Sequence, residues 1–80
     1  MEFNEAVRKR INELVKETGL SLSALSTNSI LTPSIIYDFL SGRTKSLNAF
    51  TIKKICYGAG ITLKEFYSRD YFDDFDDVVK

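Results

Sequence analysis

A run of small polar and basic residues lies between Thr32 and Lys45. Thr32-Pro33-Ser34 opens a segment in which Pro33, Ser34, Tyr37, Asp38 and Ser41 recur at helical spacing, away from Ile36, Phe39 and Leu40. Arg43-Thr44-Lys45-Ser46 follows as a polar, basic loop. Small hydroxyls at a helix start allow close approach, and the backbone N–H groups there favour a phosphate. Cations in the next loop suit the same ligand. Covalent catalysis is poorly provided for. Histidine is absent, which excludes triads and zinc sites built on it. The one cysteine, Cys56, can form neither an intramolecular disulfide nor a Cys-rich metal site. Carboxylates and lysines remain, but they supply no identifiable base, nucleophile or cleft, so an enzyme, such as a small nuclease using aspartates, ranks last.

These residues need a scaffold, and apolar spacing and caps outline one. Phe3, Val7, Ile11, Leu14 and Val15 line one face of a first helix over roughly residues 5–17, with Asn4 as N-cap and Gly19 as stop. Arg8, Lys9, Asn12 and Lys16 take its outward face, and the run Arg8-Lys9-Arg10 reads as its wet side. Ser21 caps a short second helix containing Leu22, Leu25 and Ser26, which Asn28-Ser29-Ile30-Leu31 breaks. Thr32 caps the third, with Pro33 in the first helical position, where its missing N–H would be unpaired anyway. That helix is expected over 33–41, stopping at Gly42. Asn48 caps a fourth, with Ile52, Ile55, Cys56 and Ala59 inward and Gly60 at its end. Cys56 reads as a small buried hydrophobe. Gly58 costs about 1 kcal/mol against alanine inside a helix, and either admits another chain at close range or marks an early helix end. Thr62 and Glu65 form the capping box of a last short helix, with Phe66 turned inward. The expected fold is all-α, a compact set of five short helices without strand-period segments or internal repeats.

The 80 residues, 44% of them hydrophobic, provide for one domain with a modest core. No apolar run approaches the ~18 residues of a membrane span, and no signal peptide is visible. A soluble, cytoplasmic protein is expected. The formal net charge is +0, but it is divided along the chain. Residues 1–67 carry nine cations against six acids, a net +3, and residues 68–80 carry two cations against five aspartates, a net −3. A mildly basic domain over 1–68 therefore precedes an acidic segment over 69–80. That segment is either a solvated, disordered tail or a helical stripe of Tyr71, Phe72, Phe75 and Val78 or Val79, docked on the last helix or on a partner subunit. Metal binding by its aspartates is disfavoured, since no ligand loop with a turn glycine is present.

Two short helices joined by a tight turn form a helix-turn-helix arrangement. Gly19-Leu-Ser-Leu-Ser-Ala-Leu-Ser26, then Leu31-Thr-Pro-Ser-Ile-Ile-Tyr-Asp-Phe-Leu-Ser-Gly-Arg43, Leu47-Asn-Ala-Phe50, Ile52 to Cys56 and Gly60-Ile-Thr-Leu-Lys-Glu-Phe66 resemble the Cro/repressor-type (XRE) helix-turn-helix domain. The likeness spans about residues 5–67 and lies in the order and spacing of all five helices. By this resemblance Thr32, Pro33, Ser34 and Asp38 read bases, with Tyr37 and Ser41 nearby. Ser21, Leu22, Arg43, Thr44, Lys45 and Asn48 meet the DNA backbone. The resemblance implies a transcriptional repressor that binds double-stranded DNA in the major groove through helix 33–41, as a homodimer, with no cofactor, metal or small-molecule substrate. The chain departs from the family at three positions. Leu22 stands where a glutamine often bonds a phosphate. Ile30 stands where the turn usually has glycine, and a β-branched residue at positive φ is costly, so a reshaped turn is expected. Pro33 replaces a long polar base reader and offers apolar contact only. Readout of DNA shape therefore gains weight over direct readout. Asp38 has two readings, accepting a hydrogen bond from cytosine N4 or pairing with Arg43 and orienting it. The alternative function is a protein-interaction module on the same scaffold, with weakened DNA binding.

Overall fold

In the computed structural model, which describes residues 1–73, five α-helices follow one another. They are α1 Phe3–Thr18, α2 Leu22–Asn28, α3 Pro33–Leu40, α4 Ala49–Ala59 and α5 Leu63–Phe66. A short 3-10 turn, Asp70–Asp73, comes after them. No strand occurs among the described residues, and none of their helices is long and apolar enough to cross a membrane. The protein is a small all-α domain. The expectations for Asp74, Phe75, Asp76, Asp77, Val78 and Val79 lie outside the described residues.

Most helix starts follow from local hydrogen bonding. Ser21 Oγ accepts from Ala24 N at 3.1 Å and Asn48 Oδ1 from Thr51 N at 2.8 Å. Thr62 and Glu65 form the reciprocal capping box, each side chain accepting from the other's backbone N–H. Two caps differ from expectation. Helix α1 starts two residues early because the Glu2 carboxylate, not Asn4, accepts from the first turn, at Asn4 N. Thr32 has the extended backbone of an N-cap but makes no side-chain cap bond; its hydroxyl lies 3.3 Å from that of Ser34. Helix α3 ends one residue short of Ser41, and Gly42, at φ 85°, turns the chain out of it.

All five helices contribute to one core. Val7, Ile11 and Leu14 of α1 meet Leu25 of α2, Ile36 and Phe39 of α3, Ile52, Ile55 and Cys56 of α4, and Phe66 of α5. Burying each large side chain stabilises the fold by about 1.5–3 kcal/mol. Helix α2 packs against both α3 and α4, and α4 against α5.

The α2–α3 turn rests on a backbone-to-backbone contact that explains Gly58. A Cβ at Gly58 would stand 2.1 Å from Ser29 Oγ and 2.7 Å from Ser29 N. Gly58 lies inside α4, and the segment it admits is the end of α2 from the same chain, so it marks neither an early helix end nor a partner's approach. Ile30, the next residue of the turn, has φ 58°. Its N–H donates to Thr27 O at 3.1 Å, and Leu31 N–H donates to Ser26 O at 2.9 Å, which is the Schellman pairing of a helix end. The turn thus keeps its left-handed position with an isoleucine in it, instead of being reshaped. That conformation costs roughly 1–2 kcal/mol in a non-glycine residue, and the two hydrogen bonds together with the seating of Ser29 on α4 hold it.

Arg10 is not on the wet side of α1. It is 2% exposed, and its guanidinium donates to Phe66 O at 2.7 Å, Glu65 O at 3.2 Å and Glu17 Oε1 at 3.3 Å. It thereby satisfies the carbonyls at the end of α5 and ties α5 to α1. Phe3, expected inward, is 41% exposed, but its ring lies 6.3 Å from that of Tyr67 and 6.0 Å from that of Phe72. The start of the acidic segment docks on its own chain. Phe72 also packs on Phe66 at 5.9 Å, and Tyr71 Oη donates to Glu13 Oε1 at 2.6 Å. Arg69 lies 3.4 Å from Glu13 and 3.1 Å from Glu17.

Candidate nucleic-acid interface

Helix α3 has a buried side and an exposed side, with Ile35 exposed at 37%. Ile36 and Phe39 are fully buried and fasten it to the core. Thr32, Pro33, Ser34, Tyr37 and Ser41 are exposed on the other side, and Asp38 is half-buried among them. The six expected base-reading residues thus form one continuous surface, small and polar at its N-terminal end. With the hydroxyls of Thr32 and Ser34 close together and Pro33 adding no donor, this end can offer a few hydrogen bonds and unhindered approach.

The basic loop is folded against the end of this helix. Arg43 Nη1 lies 3.3 Å from Asp38 Oδ1, the pairing that was one of the two readings of Asp38. With the Arg43 side chain 78% exposed, the pair is a surface ion pair worth about 0–1 kcal/mol. Its main consequences are that it orients the Arg43 side chain and partly neutralises the Asp38 carboxylate. The Asp38 carbonyl accepts from Thr44 N at 3.0 Å and from Ser41 Oγ at 3.1 Å. Lys45 is exposed beside it.

Arg8 completes this arrangement, and sequence reasoning missed it. Its Nε donates to Phe39 O at 2.7 Å, and its Nη2 reaches Thr44 O and Lys45 O, both at 3.3 Å. Its guanidinium stacks 4.5 Å from the Phe39 ring centre. One side chain from α1 thus ties the last turn of α3 to the loop after it. The available signal was its position, one turn before Ile11 and two before Val15, at the edge of the apolar stripe. A charge there is as consistent with a buried hydrogen-bonding arginine as with a wet one.

The other expected backbone contacts stand at helix starts. Ser21 and Asn48 are exposed, and their side chains are engaged in capping α2 and α4. Leu22 is half-buried and packs against the core, so its side chain is in large part structural. The ground beside the loop is not uniformly basic. Glu2 and Glu5 line a cleft of about 370 Å³ together with Arg8, Ser41 and Lys45.

Burial pushes the Cys56 thiol above its ordinary range, which leaves it protonated and inert. The Tyr71 hydroxyl is also pushed up, first by burial and then by its bond to Glu13, so it stays a neutral donor. Among the described residues, no group of three or more Asp, Glu or Cys side chains converges as a metal site. The arrangement suits binding of an extended, negatively charged surface by a polar helix start and its basic flank. No protein-family model, curated protein or solved structure matches this chain.

Proposed function

We propose that this chain binds double-stranded DNA and acts as a cytoplasmic transcriptional repressor of the Cro/repressor type. The exposed face of α3 carries the reading, with the Arg43–Lys45 loop tied to its end by Arg8 and Asp38. In this reading the N-terminal end of α3 enters the major groove, where Thr32, Pro33 and Ser34 lie against base edges. Tyr37 and Ser41 border that contact. Arg43, Thr44 and Lys45 hold phosphates on one flank, and the helix starts at Ser21, Leu22 and Asn48 offer main-chain N–H groups to the backbone. Asp38 acts through Arg43. One short helix reads few base pairs, so two copies related by a two-fold axis would place their α3 helices about one DNA turn apart, ~34 Å. Neither a cofactor nor a small-molecule substrate enters this reading.

Selection of full-length protein on a random duplex library, read by sequencing, tests the proposal. An enriched motif, with two half-sites about one turn apart, supports it. A flat result refutes it and leaves the second reading, a protein-interaction module on the same scaffold. Two observations favour that second reading: Glu2 and Glu5 beside the basic loop, and Leu22 turned toward the core.

A further inference from the structure

A shallow groove of about 280 Å³ lies where the turn after α2 meets the outer face of α4. Ile30, Phe50 and Tyr57 line it and are 74%, 64% and 74% exposed, and Lys53 and Lys54 complete its walls. Phe50, Lys53, Lys54 and Tyr57 are spaced i, i+3, i+4 and i+7, so they share one face of α4, opposite the buried Ile52, Ile55 and Cys56. The Lys54 ammonium sits 4.8 Å from the centre of the Phe50 ring, and among the described residues no acid lines the groove. Ile30 adds an independent argument. Glycine would relieve its left-handed backbone and would expose no apolar side chain. The isoleucine stands there at a conformational cost and without burial, and strained backbone positions of this kind cluster at functional sites. Three large apolar groups are thus exposed side by side on a small domain.

We propose that this groove receives the acidic, aromatic C-terminal segment of a second copy of the chain. Charge complementarity selects that occupant. Residues 70–80 carry five aspartates against one lysine, and beyond Phe72 they add Phe75, Val78 and Val79 as apolar anchors. The groove offers the converse, apolar walls flanked by two cations. Tyr71 and Phe72 are engaged with α1 and α5 of their own chain, and Phe75 is the next aromatic in the sequence, the one this proposal assigns to the neighbour. Groove-on-groove pairing is disfavoured, because a two-fold axis would bring Lys53 and Lys54 against their own counterparts. Mutual exchange of segments closes into a symmetric dimer, whereas one-way docking would propagate. The inference does not rest on DNA binding.

Sedimentation of the full chain from micromolar to millimolar concentration, at low and high salt, tests it. The wild type should dimerise, and less strongly at high salt, because exposed charges are screened. Tyr57→Ser, Phe75→Ser and the pair Lys53→Glu/Lys54→Glu should each weaken association roughly tenfold or more. Helical circular dichroism should stay unchanged in the groove variants, whose altered side chains lie at the surface. A charge exchange gives the sharpest readout. Lys53→Glu/Lys54→Glu chains and Asp76→Lys/Asp77→Lys chains should each stay monomeric alone and pair when mixed. A wild type that is monomeric throughout overturns the proposal. So does a dimer indifferent to the groove variants, or one broken by them but indifferent to Phe75→Ser, since the groove would then take another occupant.

Discussion

Replacing Gly58 with alanine sets two local effects against each other. Alanine gains about 1 kcal/mol of helix propensity over glycine. Its Cβ, however, would stand 2.1 Å from Ser29 Oγ, 2.7 Å from Ser29 N and 3.0 Å from the carbonyl carbon of Asn28. The hydroxyl can rotate away but the two main-chain atoms cannot, so α2 would have to lift from α4. Overpacking of this kind costs about 1–3 kcal/mol and occasionally more, and contact with main chain belongs at the upper end. The expected net loss is about 2 kcal/mol, or roughly 8–16 °C in the unfolding midpoint of a domain this size. Thermal and urea unfolding followed by circular dichroism measure it. Ser29→Ala provides the internal control. Ser29 Oγ is buried with no hydrogen-bond partner among the described residues, so its removal alone should stabilise the protein by about 1 kcal/mol. In the double variant the shortest clash is gone while those with the main chain persist. Its loss should therefore fall below the sum of the two single effects, with a coupling of about 0.5 kcal/mol or more. A Gly58→Ala chain more stable than its parent would refute the reasoning, because propensity would then outweigh a contact that does not exist in solution.

Arg10→Met should destabilise by about 3 kcal/mol in urea unfolding, because it leaves the carbonyls of Glu65 and Phe66 without their donor in a buried site. Arg8→Met should speed amide hydrogen exchange at Thr44 and its neighbours while the helices stay protected, since three carbonyl contacts of one guanidinium are lost. Glu17 is held below its ordinary value of 4.5, first by its hydrogen bond to Arg10. A carboxylate depressed in the folded state contributes stability above that value and loses it as pH falls through the lower, folded one. Glu17→Gln should therefore lower stability at neutral pH, converge on the parent at low pH, and so flatten the acid limb of a stability-versus-pH curve below about pH 4.5. In DNA binding, Arg43→Ala and Lys45→Ala should weaken every duplex alike and reduce the salt slope by about 0.9 each, whereas Ser34→Ala should change base preference.

Caps and apolar periods could be read along the chain because both operate within one or two helical turns. Ser21, Asn48 and the Thr62–Glu65 box start their helices as expected, and the stripe Val7, Ile11 and Leu14 is the buried face of α1. The polar face of α3 was equally legible, since helical spacing alone separates Ser34, Tyr37 and Ser41 from Ile36 and Phe39. The Asp38–Arg43 pair was within reach for the same reason, being five residues apart. Where local signals competed, spacing did not choose. Asn4 and Glu2 can both cap α1, and the longer Glu2 side chain reaches the Asn4 N–H.

The sequence by itself therefore determined the all-helical class, the starts of α2, α3, α4 and α5, and which side of α3 faces outward. Tertiary structure alone decided what the charges and the odd residues are for. Arg8 meets Phe39 across 31 residues, Arg10 meets Phe66 across 56, and Tyr71 meets Glu13 across 58. A guanidinium on an amphipathic helix reads as solvated until a distant carbonyl without a partner arrives beside it. Gly58 likewise has no local meaning. Only when Ser29 is brought within a Cβ's reach does the missing side chain become necessary, and only then is Ile30 held in a backbone conformation that its own chemistry disfavours.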